Sequence, residues 1–205
     1  MTQAAKIMKK KQMIKTDIDR LLPKAQSDQL WRRAAVRLDK LLKQYASLPK
    51  GVHAHTDNYI FPAAAIYLTA KKYMPQAQAY AVIEQAAIRV SGEAGRKIAK
   101  TMRLPFMRDL FIRIWDPLTR SRFGRESGFQ NRFYPKKKDQ YRMDVLACPY
   151  CRYFTELNCF ELTKIFCEND DRCYGSLPGV VFERKGTLGK GAECCDFCIR
   201  KVPKV

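Results

Sequence analysis

Tyr141-Arg-Met-Asp-Val-Leu-Ala147 is the stretch that takes this chain out of the all-helical class. Tyr141, Met143, Val145 and Ala147 fall at every second position with Arg142 and Asp144 between them, the period of a strand with one covered face. Two more runs in the final third, Gly179-Val-Val-Phe-Glu-Arg184 and Glu193 to Arg200, also read as strands. Phe160 to Asn169, carrying Leu162, Ile165 and Phe166, is spaced for a short helix. The expected C-terminal unit is therefore a small α+β assembly on an antiparallel sheet.

Upstream of residue 117 the period changes to that of helices. Residues 4–22 hold Ile7, Met8, Ile14, Ile18, Leu21 and Leu22 at helical spacing and stop at Pro23. Ser27 and Asp28 are N-cap candidates for a second helix with Leu30, Trp31, Ala34, Leu38, Leu41, Leu42 and Tyr45 on one stripe. A third helix is expected over roughly 57–74, entered through Pro62, and a fourth over Gln76 to Val90. Gly92 and Gly95 then mark a small-residue segment suited to close helix packing, and Phe106, Met107, Leu110, Phe111, Ile114 and Trp115 form a further stripe after Pro105. Residues 117–139, punctuated by Pro117, Gly124, Gly128 and Pro135, read as an irregular connection. The fold class is thus α+β, with a helical N-terminal half packed on a small antiparallel sheet, and a short helix in the C-terminal third. Residues 1–50 form a basic helical extension, and 51–205 a main domain with helices over 51–117 and the α+β part over 140–205.

A chain of 205 residues that is 46% hydrophobic is too apolar to stay disordered. Its longest apolar run, Ile60 to Leu68, falls far short of the ~18 residues that cross a bilayer and suits a core helix. Basic residues at Lys6 and Lys9 to Lys11 lead into no signal-like apolar stretch, so a cytoplasmic protein is expected. The net charge of +19 divides into excesses of +9 over residues 1–50, +9 over 51–147 and +1 over 148–205. A field of that kind draws anions to the helical half: nucleic acid, acidic membrane or small carboxylates.

All eight cysteines lie between Cys148 and Cys198. The cysteine-free remainder already has a core's worth of apolar residues, so reduced thiols, metal ligands or a nucleophile fit better than a disulfide framework. Cys148-x-x-Cys151 and Cys195-x-x-Cys198 have the spacing with which two thiolates reach one tetrahedral metal, which makes those four candidate ligands for zinc or an iron–sulfur cluster. Cys159 and Cys167, eight residues apart on the short helix, share a face, and core packing is expected of at least one of them. Cys195 beside Asp196, with a cation such as Arg184 in reach, has the makings of a nucleophile; Asp196 capping a turn or pairing with Arg184 is the alternative. Arg184 and Thr187 can hold a substrate carboxylate through a planar fork and a hydroxyl, or be a surface cation and a turn residue. His53 and His55 form a metal pair if the segment is extended, and two solvated side chains if it is a loop. Phe123, Phe129, Phe133 and Tyr134 alternate with Arg120, Arg122, Arg125, Arg132 and Lys136 to Lys138, as on a surface that stacks bases and meets phosphates; aromatics turned into the core are the other reading.

Cys148-Pro149, Glu161-Leu-Thr-Lys-Ile-Phe-Cys167 with Asp170, Phe182-x-Arg184-x-x-Thr187-Leu188-x-x-Gly191 and Cys195-Asp196-Phe197, in that order, resemble the L-2-amino-thiazoline-4-carboxylic acid hydrolase family. The likeness extends over about residues 55–198, with Tyr80 to Glu84 and Gly95 to Ala99 compatible with the family's helical half. It implies hydrolysis of a small carboxylate-bearing cyclic amidine of the thiazoline type to a carbamoyl-cysteine. Cys195 and Asp196 would then be catalytic, and Arg184 and Thr187 would bind the substrate. The competing expectation is a non-catalytic metal-binding regulator or nucleic-acid adaptor with a cysteine-rich module.

Overall fold

The strand that decides the class forms as expected. In the computed structural model, which describes residues 1–104, 106–135 and 137–202, β2 (Gln140–Ala147) pairs antiparallel with β4 (Cys195–Lys201). The other edge of β4 pairs with β3 (Val180–Glu183), and the other edge of β2 with β1 (Gln130–Phe133), giving a four-stranded antiparallel sheet of order β1–β2–β4–β3. β1 lies in the segment expected to be irregular. It is an edge strand with a half-buried, mostly polar sequence, so it lacks the alternation that marks β2.

Tyr141, Met143 and Val145 of β2 share a covered face with Cys195 and Ile199 of β4, their cross-strand partners or near neighbours. That face meets α7 (Met107–Arg122) through Phe111, Ile112 and Trp115. Thr119 of α7 and the Tyr141 hydroxyl satisfy each other at 2.5 Å inside this second core. The buried face of α7 is thus Phe111, Ile112, Trp115 and Thr119, one step round from the expected stripe, and Leu110 and Ile114 stay exposed. Pro105 lies outside the described residues.

The larger core is helical. α1 (Gln3–Lys9), α2 (Gln12–Leu21) and α3 (Lys24–Gln44) bury Ile7, Ile18, Leu30 and Leu38 in one cluster with α5 (Phe61–Ala70) and α6 (Gln76–Met102). α3 starts at Lys24, earlier than Ser27 would place it, and the Ser27 hydroxyl is buried between Lys15 Nζ (3.0 Å) and Asp19 Oδ1 (2.7 Å). α5 is apolar on every side, as a helix at the centre of a core must be. It continues a helix begun at α4 (Lys50–His55) through one π-helical turn, Thr56–Ile60. The wide turn lets Pro62, which has no N–H to donate, sit inside a helix that does not break.

α6 runs through both glycines to Met102, well beyond the expected end at Val90. Gly95 is where α9 (Leu162–Tyr174) crosses it: a β-carbon there would lie 2.6 Å from the Arg172 carbonyl oxygen. A shorter helix, α8 (Pro149–Glu156), precedes α9 and was not expected. Cys148 is its N-cap residue and Pro149 opens its first turn, where the missing N–H costs nothing. α9 buries Leu162 and Ile165 in the helical core, and its other side, with Thr163, faces the connection between β3 and β4.

Candidate active site

Cys167 and Asp170 stand three residues apart on α9 and therefore on one side of it, the side that looks toward the β3–β4 connection. Cys167 is one focus of that meeting place. The Cys195 thiol, brought in by β4, donates a hydrogen bond to its sulfur, and the Gly189 backbone N–H and the Arg184 cation also favour its charged form. Against burial, which opposes ionisation, these partners bring the Cys167 thiol down to about 6. Cys195 moves the other way. Its hydrogen bond to Cys167 and its burial hold it protonated, although the Leu188 N–H points at its sulfur from 3.3 Å. Within the pair the charge is therefore favoured on Cys167 and the proton on Cys195.

The approach of the connection to Cys167 depends on a glycine. A β-carbon at Gly189 would lie 2.8 Å from Cys167 Sγ and 2.9 Å from Thr163 Cγ2. Gly189 lies in a 3₁₀ turn, Leu188–Lys190, which ends at Gly191 with φ +86°, a left-handed conformation that suits glycine. Upstream, Asp196 Oδ1 accepts from the backbone N–H groups of Lys185 (2.9 Å) and Gly186 (2.8 Å). Asp196 thus shapes the connection, and its bonded oxygen faces backbone amides rather than the two sulfurs.

Arg184 reaches the same focus from the end of β3. Its side chain is only 3% exposed and lies against the adjoining rings of Phe182 (5.7 Å) and Phe197 (5.3 Å). It donates to Asp170 Oδ2 (3.0 Å), to the Cys167 carbonyl (2.7 Å) and to Asp171. Its fork therefore ties α9 to the sheet. Asp170 has 32% of its side chain exposed yet is closely surrounded by protein. Burial pushes its carboxyl up to about 7, Cys167 and Asp171 add to the rise, and Arg184 works against it. A thiolate and a carboxyl that retains its proton near neutrality are thus held on one helix face.

A surface cleft of about 410 Å³ opens beside this focus, lined by Arg184, Lys185, Gly186, Thr187 and Lys190 among others. Thr187 Oγ1 is buried and has no hydrogen-bond partner. Lys185 is exposed at the rim, and Lys190 lies 3.5 Å from Glu168. The cleft is cationic, with an orphaned hydroxyl in its wall.

Of the residues singled out in the sequence, the fold gathers Cys195, Arg184 and Thr187 about Cys167. Cys167 itself and Asp170 were missed as chemical groups. Cys167 had been paired with Cys159, but Cys159 lies before α9, fully buried, with burial pushing its thiol up to about 12. The available signal was the Cys167-x-x-Asp170 spacing on a helix.

The four candidate metal ligands do not converge. Cys195 and Cys198 are three residues apart in a strand, which puts them on opposite faces of the sheet, and Cys198 meets Gln140 Nε2 at 3.1 Å. Among the described residues, no group of three or more His, Cys, Asp or Glu side chains is arranged to hold a metal ion. His53 and His55 lie on a helix, where a spacing of two turns them to different sides. His53 Nδ1 meets Asp57 Oδ1 at 3.1 Å, whereas His55 lies between the Tyr150 hydroxyl (3.3 Å) and the Arg122 carbonyl (3.0 Å). In the aromatic and basic run, Phe123 and Phe129 pack on each other and on His55. Arg120 covers Phe133 at 4.0 Å and Arg142 covers Tyr134 at 4.2 Å. These four rings are engaged within the chain; Lys136 lies outside the described residues. Among the described residues, no helix is long and apolar enough to cross a membrane.

The family model described as L-2-amino-thiazoline-4-carboxylic acid hydrolase matches residues 53–199. The match spans α4 to most of β4 and includes every residue gathered at the Cys167 focus. No curated protein and no solved structure matches the chain.

Proposed function

The chain belongs to the L-2-amino-thiazoline-4-carboxylic acid hydrolase family, and from that premise we propose that it opens a small carboxylate-bearing cyclic amidine, of the 2-aminothiazoline-4-carboxylate type, to a carbamoyl-cysteine, with Cys167 as nucleophile. The observation that carries this reading is the convergence of Cys195, Gly189 N–H and Arg184 on the Cys167 sulfur, three residues from a carboxyl able to give up a proton.

The reacting carbon of such a ring is bonded to the ring sulfur, the ring nitrogen and an exocyclic nitrogen. The Cys167 thiolate adds to it, the bond to the ring sulfur breaks, and the departing sulfur takes the proton of Asp170. The substrate is then an open chain with a free thiol, joined through its amidine carbon to Cys167. Water adds to that carbon and yields a proton to the Asp170 carboxylate; Cys167 leaves as thiolate, and a carbamoyl group remains on the substrate nitrogen. The net change is substrate plus one water, with both catalytic groups restored.

The remaining residues set the stage for these steps. The Cys195 thiol holds Cys167 in its charged form, Lys185 and Lys190 draw the substrate carboxylate to the cleft, and Thr187 Oγ1 offers it a hydroxyl. Arg184 fixes α9 against the sheet through its fork to Asp170 and Asp171, and Asp196 fixes the turn at Lys185 and Gly186. Both act as positioning residues.

The test is to incubate the purified chain with 2-aminothiazoline-4-carboxylate and follow the carbamoyl-cysteine product by mass spectrometry. Turnover that disappears in Cys167→Ala is the expected result. No turnover by the unaltered chain sinks the substrate assignment, and undiminished turnover by Cys167→Ala sinks the nucleophile.

A further inference from the structure

Cys148 and Cys151 play no part in the hydrolysis just described, yet the fold brings them together at the head of α8. β2 ends at Ala147, Cys148 caps α8, and Pro149 and Tyr150 carry the chain through the first turn to Cys151. The two thiols are near enough for each to shift the ionisation of the other. We propose that Cys148 and Cys151 form a redox-active dithiol that exchanges with low-molecular-weight disulfides and closes reversibly into an intramolecular disulfide.

The geometry favours closure. Residues three apart at the start of a helix are neighbours on its surface, within the separation of α-carbons that a disulfide spans. Thiols at that spacing reach a bond of about 2 Å through side-chain rotation, without moving a strand or helix. Pro149 has a fixed φ and presets the turn between the two thiols. Cys151 is partly exposed and so open to a small disulfide.

The electrostatics point the same way. Cys148 lowers the Cys151 thiol below its ordinary value, and Cys151 together with the close packing around Cys148 raises the Cys148 thiol. A thiolate that is both accessible and next to a second thiol is the arrangement thiol–disulfide exchange requires. The other thiol pair is less suited to it. Cys195 is 6% exposed, and Gly189 sits over Cys167.

The exchange runs in two steps. Cys151 thiolate attacks one sulfur of a small disulfide, forming a mixed disulfide and expelling one small thiolate. Cys148 then loses its proton and attacks the Cys151 sulfur, expelling the second small thiol. Two protein thiols are oxidised to one disulfide as one small disulfide is reduced to two thiols, and excess small thiol reverses both steps. Cys151 also lies near enough to Cys167 for each sulfur to feel the other's charge, so the dithiol borders the candidate active site.

The experiment equilibrates the full chain with mixtures of reduced and oxidised glutathione, blocks free thiols by alkylation, and maps the cysteine peptides by mass spectrometry. The expected result is a peptide containing Cys148 and Cys151 that loses two hydrogens as the mixture becomes oxidising and regains them as it becomes reducing. In Cys148→Ser, one glutathione is trapped on Cys151; in Cys151→Ser, no closure occurs. Closure also persists in Cys167→Ala, so the outcome is independent of the hydrolytic mechanism. Cys148 and Cys151 remaining fully alkylated in the unaltered chain across the whole range overturns the proposal. A disulfide that maps instead to Cys167 and Cys195 overturns it as well.

Discussion

Replacing Cys195 by alanine tests which of the two bonded sulfurs carries the charge. Cys195 gives Cys167 the hydrogen bond that does most to keep it ionised. A hydrogen bond to a charged group contributes about 1.5–3 kcal/mol, enough to displace a titration midpoint by about one to two pH units. Gly189 N–H and Arg184 stay in place, so the Cys167 midpoint is expected to rise from about 6 by that amount and no further. The assay is the pH dependence of Cys167 alkylation, read from its own peptide by mass spectrometry. A single rate at pH 7 discriminates poorly. The thiolate fraction falls from about nine-tenths to between about a half and a tenth, while the thiolate becomes roughly threefold more nucleophilic for each pH unit the midpoint rises, and the two effects nearly cancel. The midpoint separates them, and the plateau rate at high pH should rise. An unmoved Cys167 midpoint in Cys195→Ala refutes the reasoning. So does an unaltered chain in which Cys195 alkylates at lower pH than Cys167.

Two further outcomes follow from the same contacts. If Cys167 must be ionised and Asp170 protonated, kcat/KM is bell-shaped, rising through about 6 and falling through about 7, and Asp170→Asn loses the alkaline limb along with most of its rate; a profile that stays flat from 5 to 9 contradicts the assignment. Gly95→Val places carbon where the Arg172 carbonyl now stands, 2.6 Å from a β-carbon, and should cost about 1–3 kcal/mol in urea unfolding, with the loss expected as a shifted midpoint at unchanged slope.

How far the fold could be read from sequence depended on whether a segment's pattern was set by one buried face. β2 was legible because one side of it is covered by a single apolar cluster that includes α7, so Tyr141, Met143 and Val145 fall at every second position. β1 was not, because an edge strand of Gln130-Asn-Arg-Phe133 has no continuous apolar side. α8 was hidden by its cysteines: Cys148-Pro-Tyr-Cys151 drew attention as a ligand spacing, although a proline in the first turn is also a helix start. In α6, Gly92 and Gly95 suggested an end to the helix, whereas Gly95 is the point where α9 comes closest and the helix simply continues. Residues 1–50 read as a basic helical extension, and their Ile18, Leu30 and Leu38 are buried in the same cluster as α5.

The site was legible in its region and partly in its residues, and the reason lies in how strands and helices display spacing. Cys195-Asp196 attracted notice because a thiol and a carboxylate adjacent in sequence look like partners. In a strand adjacent residues face opposite sides, so Cys195 turns to Cys167 while Asp196 turns to the amides of Lys185 and Gly186. The productive pairing of thiol and carboxyl is the one whose spacing suits a helix, Cys167 with Asp170, and it becomes visible only once α9 is known to turn that face to the β3–β4 connection. The same logic separates the two C-x-x-C pairs. At a helix start the spacing brings Cys148 and Cys151 together, and in β4 it sends Cys195 and Cys198 apart. A spacing thus acquires chemical meaning only with the element that carries it, and this chain, with one such pair on each kind of element, divides its thiols into one dithiol at the head of α8 and one charged sulfur on α9.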